Sequence, residues 1–286
     1  MYQKWPQQKQ PSPEERAAFG RLEDDLRGQA AAHRQRVRLS LYDFATGEQA
    51  GIEAHRRLYP ASMIKTLLLL AALEQLERGN ISLGDLYTLK ESDKYAGETP
   101  VAGTGLLQFA AAGSSYRLEI LLGLMMALSD NVATNIIFEQ VGRAGCAATA
   151  KRLGLKSSAF TRKFYDSASE YPSNTATAGE LNRLLLALQN REAAGEKLTR
   201  MAIRMMAAAT DKGRIGRLVG GRAVIANKVG TVDDIVGDMA LLYFPHRPPL
   251  ALTVAVERPC RQEEAARLIG TLAKRIVGVL AAYPST

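Results

Sequence analysis

Two short stretches set a hydroxyl near an amine, Ser62-Met63-Ile64-Lys65 and, far downstream, Lys228-Val229-Gly230-Thr231, and between them stands Ser129-Asp130-Asn131. Residues three apart on a helix share a face, so the Lys65 amine can reach the Ser62 hydroxyl. Tyr59-Pro60-Ala61 precedes Ser62 and the apolar run Thr66–Leu73 follows, which predicts Ser62 in the first turn of a helix. Unpaired backbone N–H groups and the positive dipole end there favour developing negative charge. A serine hydroxyl is a weak nucleophile at its own pKa and needs an adjacent base. Lys65 can serve if it is buried, since desolvation and a second cation, Lys228, both favour a neutral amine. The backbone N–H groups of Ser62 and Thr231 would form an oxyanion hole, each donor worth roughly 3–4 kcal/mol. The Ser129 hydroxyl can relay a proton to a leaving nitrogen, and the Asn131 amide can hold an amide carbonyl. Lys228 supplies charge for a carboxylate, and Gly230 leaves room for a ligand against a strand. Taken singly, each stretch reads as a helix cap, a solvated lysine or a strand end. Their joint occurrence in this order reverses that judgement.

The elements around these residues are legible in outline. Residues 1–12 are polar and repeat Gln and Pro, the composition of a disordered arm. Ser12-Pro13-Glu14-Glu15 has the form of a helix start, and the helix is expected to reach about His33. Val37–Phe44 alternates like a half-buried strand, 45–48 is a turn and 49–56 a hairpin partner. The pattern is helical from 62 to about 210. Leu67–Leu70 is apolar on all sides and marks a central helix ended by Gly79-Asn80. Leu118–Leu128 leads into Ser129, and a further helix runs from about Ala133 to Val141. Thr177-Ala178-Gly179-Glu180 opens a helix through Leu188, and another covers Thr199–Ala208. Ala223–Val229, Val236–Phe244 and Leu250–Glu257 read as strands, and Gln262–Ala281 as a closing helix. Strands at both ends and helices between them predict an α+β fold: an antiparallel sheet flanked by terminal helices, with an inserted all-helical lobe. The expected division is a sheet lobe of 13–58 plus 214–286 and a helical lobe of 59–213. Together they would form one structural domain, with the three motifs meeting where the lobes adjoin.

Composition narrows the partners. The 286 residues are 47% hydrophobic and 23% charged, ordinary for a globular chain. Glu74, Glu77 and Arg78 interrupt the longest apolar helix before the ~18 residues a membrane span needs. The net charge of +8 favours anionic ligands, but no dense Lys/Arg block interleaves with aromatics, which argues against nucleic acid. The cluster His33-Arg34-Gln35-Arg36 reads as a solvated helix end. Cys146 and Cys260 lack metal or disulfide spacing, so no metal and no cofactor are expected. Met1–Pro6 lacks an apolar leader, so the chain as written is expected in the cytoplasm, or exported if a leader was trimmed from it. His33, His55 and His246 sit in no nucleophile context, and Gly103-Thr104-Gly105 lacks the strand and third glycine of a dinucleotide loop. Asp130 and Asn135 are read as structural.

The three motifs, with Ser129-Asp130-Asn131-Val132-Ala133-Thr134-Asn135, resemble the S-x-x-K, S-D-N-x-x-x-N and K-T-G signature of the penicillin-recognising serine hydrolases, most of all the class A β-lactamases. The resemblance spans about residues 15 to 282. It implies the β-lactamase/transpeptidase-like fold and catalytic roles for Ser62, Lys65, Ser129 and Lys228. It also implies substrate contacts from Asn131, Gly230 and Thr231. The expected ligand is a small β-lactam or a peptide bearing a carboxylate, bound by a monomer with no nucleic acid or membrane.

Two departures stand out. Val229 replaces the middle hydroxyl of K-T-G; Thr231 is one residue too far along and, in a regular strand, on the other face. Arg214 or Arg217 would add a guanidinium to the carboxylate site, although surface charge is the reading favoured for both. The loop Thr161–Thr175 also lacks the family's E-x-x-L-N glutamate and offers only Asp166 and Glu170 to activate water. Acylation of Ser62 is therefore better supported than fast deacylation. A D-alanyl peptidase, a penicillin-binding sensor without turnover and a glutaminase-like amidase stay open as alternatives.

Overall fold

The computed structural model describes residues 12–32 and 36–281. The expected arm lies outside them except for Ser12, as do His33, Arg34 and Gln35. The chain begins with α1 (Pro13–Ala32), β1 (Arg36–Asp43), β2 (Gln49–Ile52) and β3 (Arg57–Leu58). A 3-10 turn at Ala61–Ile64 runs into α2 (Lys65–Glu77). Short strands β4 (Leu86–Thr88), β5 (Tyr95–Ala96), β6 (Thr99–Pro100) and β7 (Ser115–Arg117) precede α3 (Leu118–Ala127) and α4 (Asn131–Arg152). Then come β8 (Ala176–Thr177), α5 (Ala178–Gln189) and α6 (Glu196–Ala207). Strands β9 (Val224–Val232), β10 (Ile235–Phe244) and β11 (Arg247–Glu257) lead to α7 (Gln262–Leu280). The expected α+β architecture is the observed one.

The chain forms two compact units. One comprises the residues up to Met63, Thr177–Leu186 and those from Asp211 onward. Its antiparallel sheet has the order β2-β1-β11-β10-β9, which joins the two ends of the chain and leaves β9 at an edge. Strand alternation sorts its side chains. Leu39 and Leu41, Val236, Ala240 and Leu242, and Leu252 and Val254 turn to one face, where Phe19, Leu22 and Leu26 of α1 and Leu268, Leu272 and Ile276 of α7 cover them. Burying a Leu or Ile side chain contributes about 1.5–3 kcal/mol, so this layer carries much of the unit's stability.

The second unit comprises Ile64–Ala176 and Ala187–Thr210. In α2 every residue from Lys65 to Glu74 is buried, as an all-round apolar sequence requires. Gly79 at φ +72 closes this helix: its N–H reaches Leu76 O at 3.1 Å, and that of Asn80 reaches Gln75 O at 3.0 Å. Only a residue tolerant of the left-handed region sits easily there. Helix α4 starts at Asn131, two residues before the expected start, and continues past Gly142, where φ 74 and ψ 157 break it. Among the described residues, no helix is long and apolar enough to cross a membrane, and no His/Cys/Asp/Glu group could hold a metal ion.

Candidate active site

Ser62 lies in the 3-10 turn and not, as expected, in the first turn of the α-helix. The α-helical hydrogen bonding starts only at Lys65, because Ala61 enters the turn at φ +46 and the Met63 N–H bonds back to Pro60 O at 3.1 Å. Lys65, three residues after Ser62, is the first residue of α2. Ser62 is half-buried and Lys65 wholly buried.

Around Lys65 the second unit assembles acceptors. Its Nζ donates to Ser129 O at 2.7 Å, Ser129 Oγ at 3.2 Å and Asn131 Oδ1 at 2.8 Å. A carbonyl, a hydroxyl and an amide oxygen thus fix the direction of the amine. Ser129 adopts φ 57, unusual for a side chain with a Cβ and a conformation that persists where surroundings impose it. Thr104 Oγ1 also donates to Ser129 O at 3.0 Å. Asn131 Nδ2 donates to Ala102 O at 2.8 Å, which leaves one amide hydrogen for a ligand.

Asp130 is structural, as read from the sequence. One carboxylate oxygen caps α4 at Ala133 N, 2.9 Å away, and the other accepts from Leu106 N at 2.7 Å and Leu107 N at 2.9 Å. Gly103-Thr104-Gly105 is the loop held by these bonds. Asn135 fastens the loop 161–175 through both its amide atoms, with Phe164 N at 2.8 Å and Phe164 O at 3.1 Å.

That loop holds a finding the sequence reading missed. It lays the Phe164 ring over Lys65 Nζ, 4.7 Å from the centroid. Of the two carboxylates expected to activate water, Glu170 is exposed and Asp166 half-buried. The aromatic ring of Phe164 stands against the lysine instead. A loop phenylalanine two residues before an aspartate carries no distinguishing sequence signal.

The first unit holds the other candidates. Lys228 is 1% exposed and faces away from the α1/α7 layer, on the same side of β9 as Gly230. Gly230 has another use than the expected room for a ligand. A Cβ there would lie 2.8 Å from Pro60 O, 3.1 Å from Met63 Cγ and 3.2 Å from Ala61 Cβ. Its partner across the strands, Gly237, would meet Met63 Cε at 2.5 Å. The two glycines thus seat the turn that carries Ser62 on the sheet. Thr231 turns to the opposite side of β9 from Lys228, as alternation requires.

Arg214 corrects the sequence reading. It is not surface charge but 8% exposed. Its guanidinium donates to Gly230 O at 2.8 Å, to Gly237 O and to Thr231 Oγ1, with Asp211 Oδ2 at 3.5 Å. Its partners lie 16 to 23 residues downstream, so no neighbour along the chain marks it as buried. Arg217 is exposed and pairs with Glu263 at 3.1 Å, as expected of surface charge. His55 and His246 are exposed, and Cys146 and Cys260 are free thiols.

Charge in this unit is unevenly balanced. Burial pushes the Lys228 amine down to about 7; Asp238 pulls it up and Arg214 pushes it further down. Burial raises the Asp238 carboxyl to about 6 against the opposing pull of Arg214. The aspartate in the otherwise apolar strand Ile235–Phe244 is the sequence signal of this buried charge.

The sequence profile described as the β-lactamase enzyme family matches residues 21–280. A β-lactamase of Streptomyces fradiae is 26% identical over 278 residues, covering 90% of this chain and 85% of the relative. A mutant of PBP-A, solved as its acyl-enzyme complex with penicillin G, superposes with a TM-score of 0.84 at 20% identity, over 93% of this chain and 98% of that one. An ancestral class A β-lactamase gives a TM-score of 0.81 at 20% identity, over 91% of this chain and 100% of that one.

Proposed function

This chain belongs to the β-lactamase enzyme family, and on that premise we propose that Ser62 is the nucleophile of a class A-like serine hydrolase that opens β-lactams through an acyl-enzyme. Ser62 Oγ attacks the lactam carbonyl as the Lys65 amine takes its proton. The backbone N–H groups of Ser62 and Thr231 stabilise the oxyanion. The proton passes through Ser129 Oγ, 3.2 Å from Lys65 Nζ, to the departing ring nitrogen. The remaining Asn131 N–H holds the substrate's side-chain amide. Lys228 and Arg214 hold its carboxylate, the guanidinium compensating for the hydroxyl absent at Val229. The enzyme acts as a monomer, without nucleic acid or membrane.

The observation that carries this reading is the wholly buried Lys65 held between Ser129 and Asn131. Deacylation is the slow half-reaction, because Phe164 fills space beside Lys65 that a water-activating carboxylate would need. Mass measurement after exposure to penicillin G tests both halves. The expected result is one acyl adduct that persists for hours and is lost in Ser62→Ala. Neither adduct nor turnover would remove the assignment; an adduct gone within seconds would remove the slow step. The Phe164 contact also favours a second reading, a D-alanyl peptidase, which release of D-alanine from a D-Ala-D-Ala peptide would reveal.

A further inference from the structure

We propose that Lys212, Asn227 and Asp238 form a positioning relay for the Arg214 guanidinium, with Lys212 as the residue that sets its orientation; this rests on the reading of Arg214 and Lys228 as carboxylate anchors. Asp238 is wholly buried on the apolar face of β10, opposite Val229 and away from Lys228. Both its oxygens have donors: Asn227 Nδ2 at 3.1 Å and the Ile215 N–H at 3.1 Å. The second bond pins the residue that follows Arg214. Asn227 is likewise wholly buried, and its Nδ2 also donates to Asp211 O at 3.0 Å. Lys212 Nζ closes the arrangement with Asn227 Oδ1 at 2.6 Å and Ile225 O at 2.8 Å. The segment 211–215 is therefore tied to β9 and β10 on both sides of Arg214.

Lys212 has a specific task in this ring. An asparagine amide can turn over, and the turned form would set its oxygen against the Asp238 carboxylate, acceptor against acceptor. A cation at Asn227 Oδ1 holds the amide the other way. A buried carboxylate oxygen that loses its donor is costly, and the ring would relax by moving the segment that bears Arg214. The charged groups gathered here are Asp211, Lys212, Arg214, Lys228 and Asp238. Burial lowers the Lys212 amine's pKa while Asp238 and Asp211 raise it.

The test follows acylation of Ser62 by penicillin G and by its uncharged methyl ester, with rates taken to saturation. Lys212→Met is expected to weaken apparent binding of the carboxylate form about tenfold, leave its limiting rate within about twofold, and spare the ester. Lys212→Arg should restore binding. Once Arg214→Ala is present, Lys212→Met should add no further loss, since residues acting through one group are not additive. Equal losses on both substrates, additive losses with Arg214→Ala, or no loss at all would overturn the relay. Should Lys212→Met fail to fold, Lys212→Gln, which keeps a donor without the charge, carries the same comparison. A wild type that penicillin G does not acylate sinks the underlying reading and this proposal with it; an acylated wild type with any overturning result sinks the relay alone.

Discussion

Lys65 and Lys228 are both buried to within 1% of completely, yet they are held in contrasting ways. The Lys65 amine sits among carbonyl, hydroxyl and amide oxygens of the residues that follow α3, with an aromatic ring beside it. Lys228 sits on an edge strand, its Nζ donating to Val229 O at 3.0 Å, and lies within the field of Asp238, Arg214 and Asp211. Oxygens of neutral groups fix where an amine points, which is what a proton carrier needs. Fixed charges set whether an amine is ionised, which is what an anion anchor needs. The two buried lysines thus meet different demands with the same side chain.

The largest losses are expected at Ser62 and Lys65. Ser62→Ala and Lys65→Met should each lower the acylation rate by about a thousandfold or more. Lys65→Arg should not rescue, because a guanidinium does not give up its proton. In stopped-flow acylation, a smaller loss in Lys65→Met would mean that another base serves Ser62, and a smaller loss in Ser62→Ala that another residue is the nucleophile. Next in size is Gly230→Ala, whose Cβ would push on Pro60 O and shift the Ser62 turn. A displacement of this kind costs up to about a hundredfold in rate, and acylation kinetics with an unchanged circular dichroism spectrum would show it.

The Lys228 side is sharpened by pH. An amine near 7 is a cation below that value and neutral above it, so affinity for a carboxylate substrate should fall as pH rises through about 7. Lys228→Met should remove that limb. Asp238→Asn removes the charge that pulls Lys228 up, so the limb should move to lower pH, with roughly a tenfold loss for each unit. A limb that stays in place would show that Asp238 does not govern Lys228. Phe164→Glu would place a carboxylate beside Lys65, and the acyl-enzyme lifetime, followed by mass, should shorten by about tenfold or more. The smallest effect belongs to Arg217→Ala, whose exposed pair with Glu263 should leave acylation within about twofold of wild type.

Much of this molecule was written in local pattern. The helix ended by Gly79-Asn80, the cap at Asp130, the tie at Asn135 and the three C-terminal strands follow from spacing and side-chain chemistry that act within a few residues. The motif residues Ser62, Lys65, Ser129 and Asn131 were legible for the same reason. What the tertiary structure decided is the fate of charges and small residues whose partners are distant in sequence. Arg214 reads as surface charge until the Gly230 and Gly237 carbonyls are brought to it. Phe164 reads as loop until it lies over Lys65, and Gly230 as room for a ligand until Pro60 and Met63 fill that room. Propensity and periodicity record only a residue's neighbours along the chain, whereas desolvation and packing depend on what folding places against it.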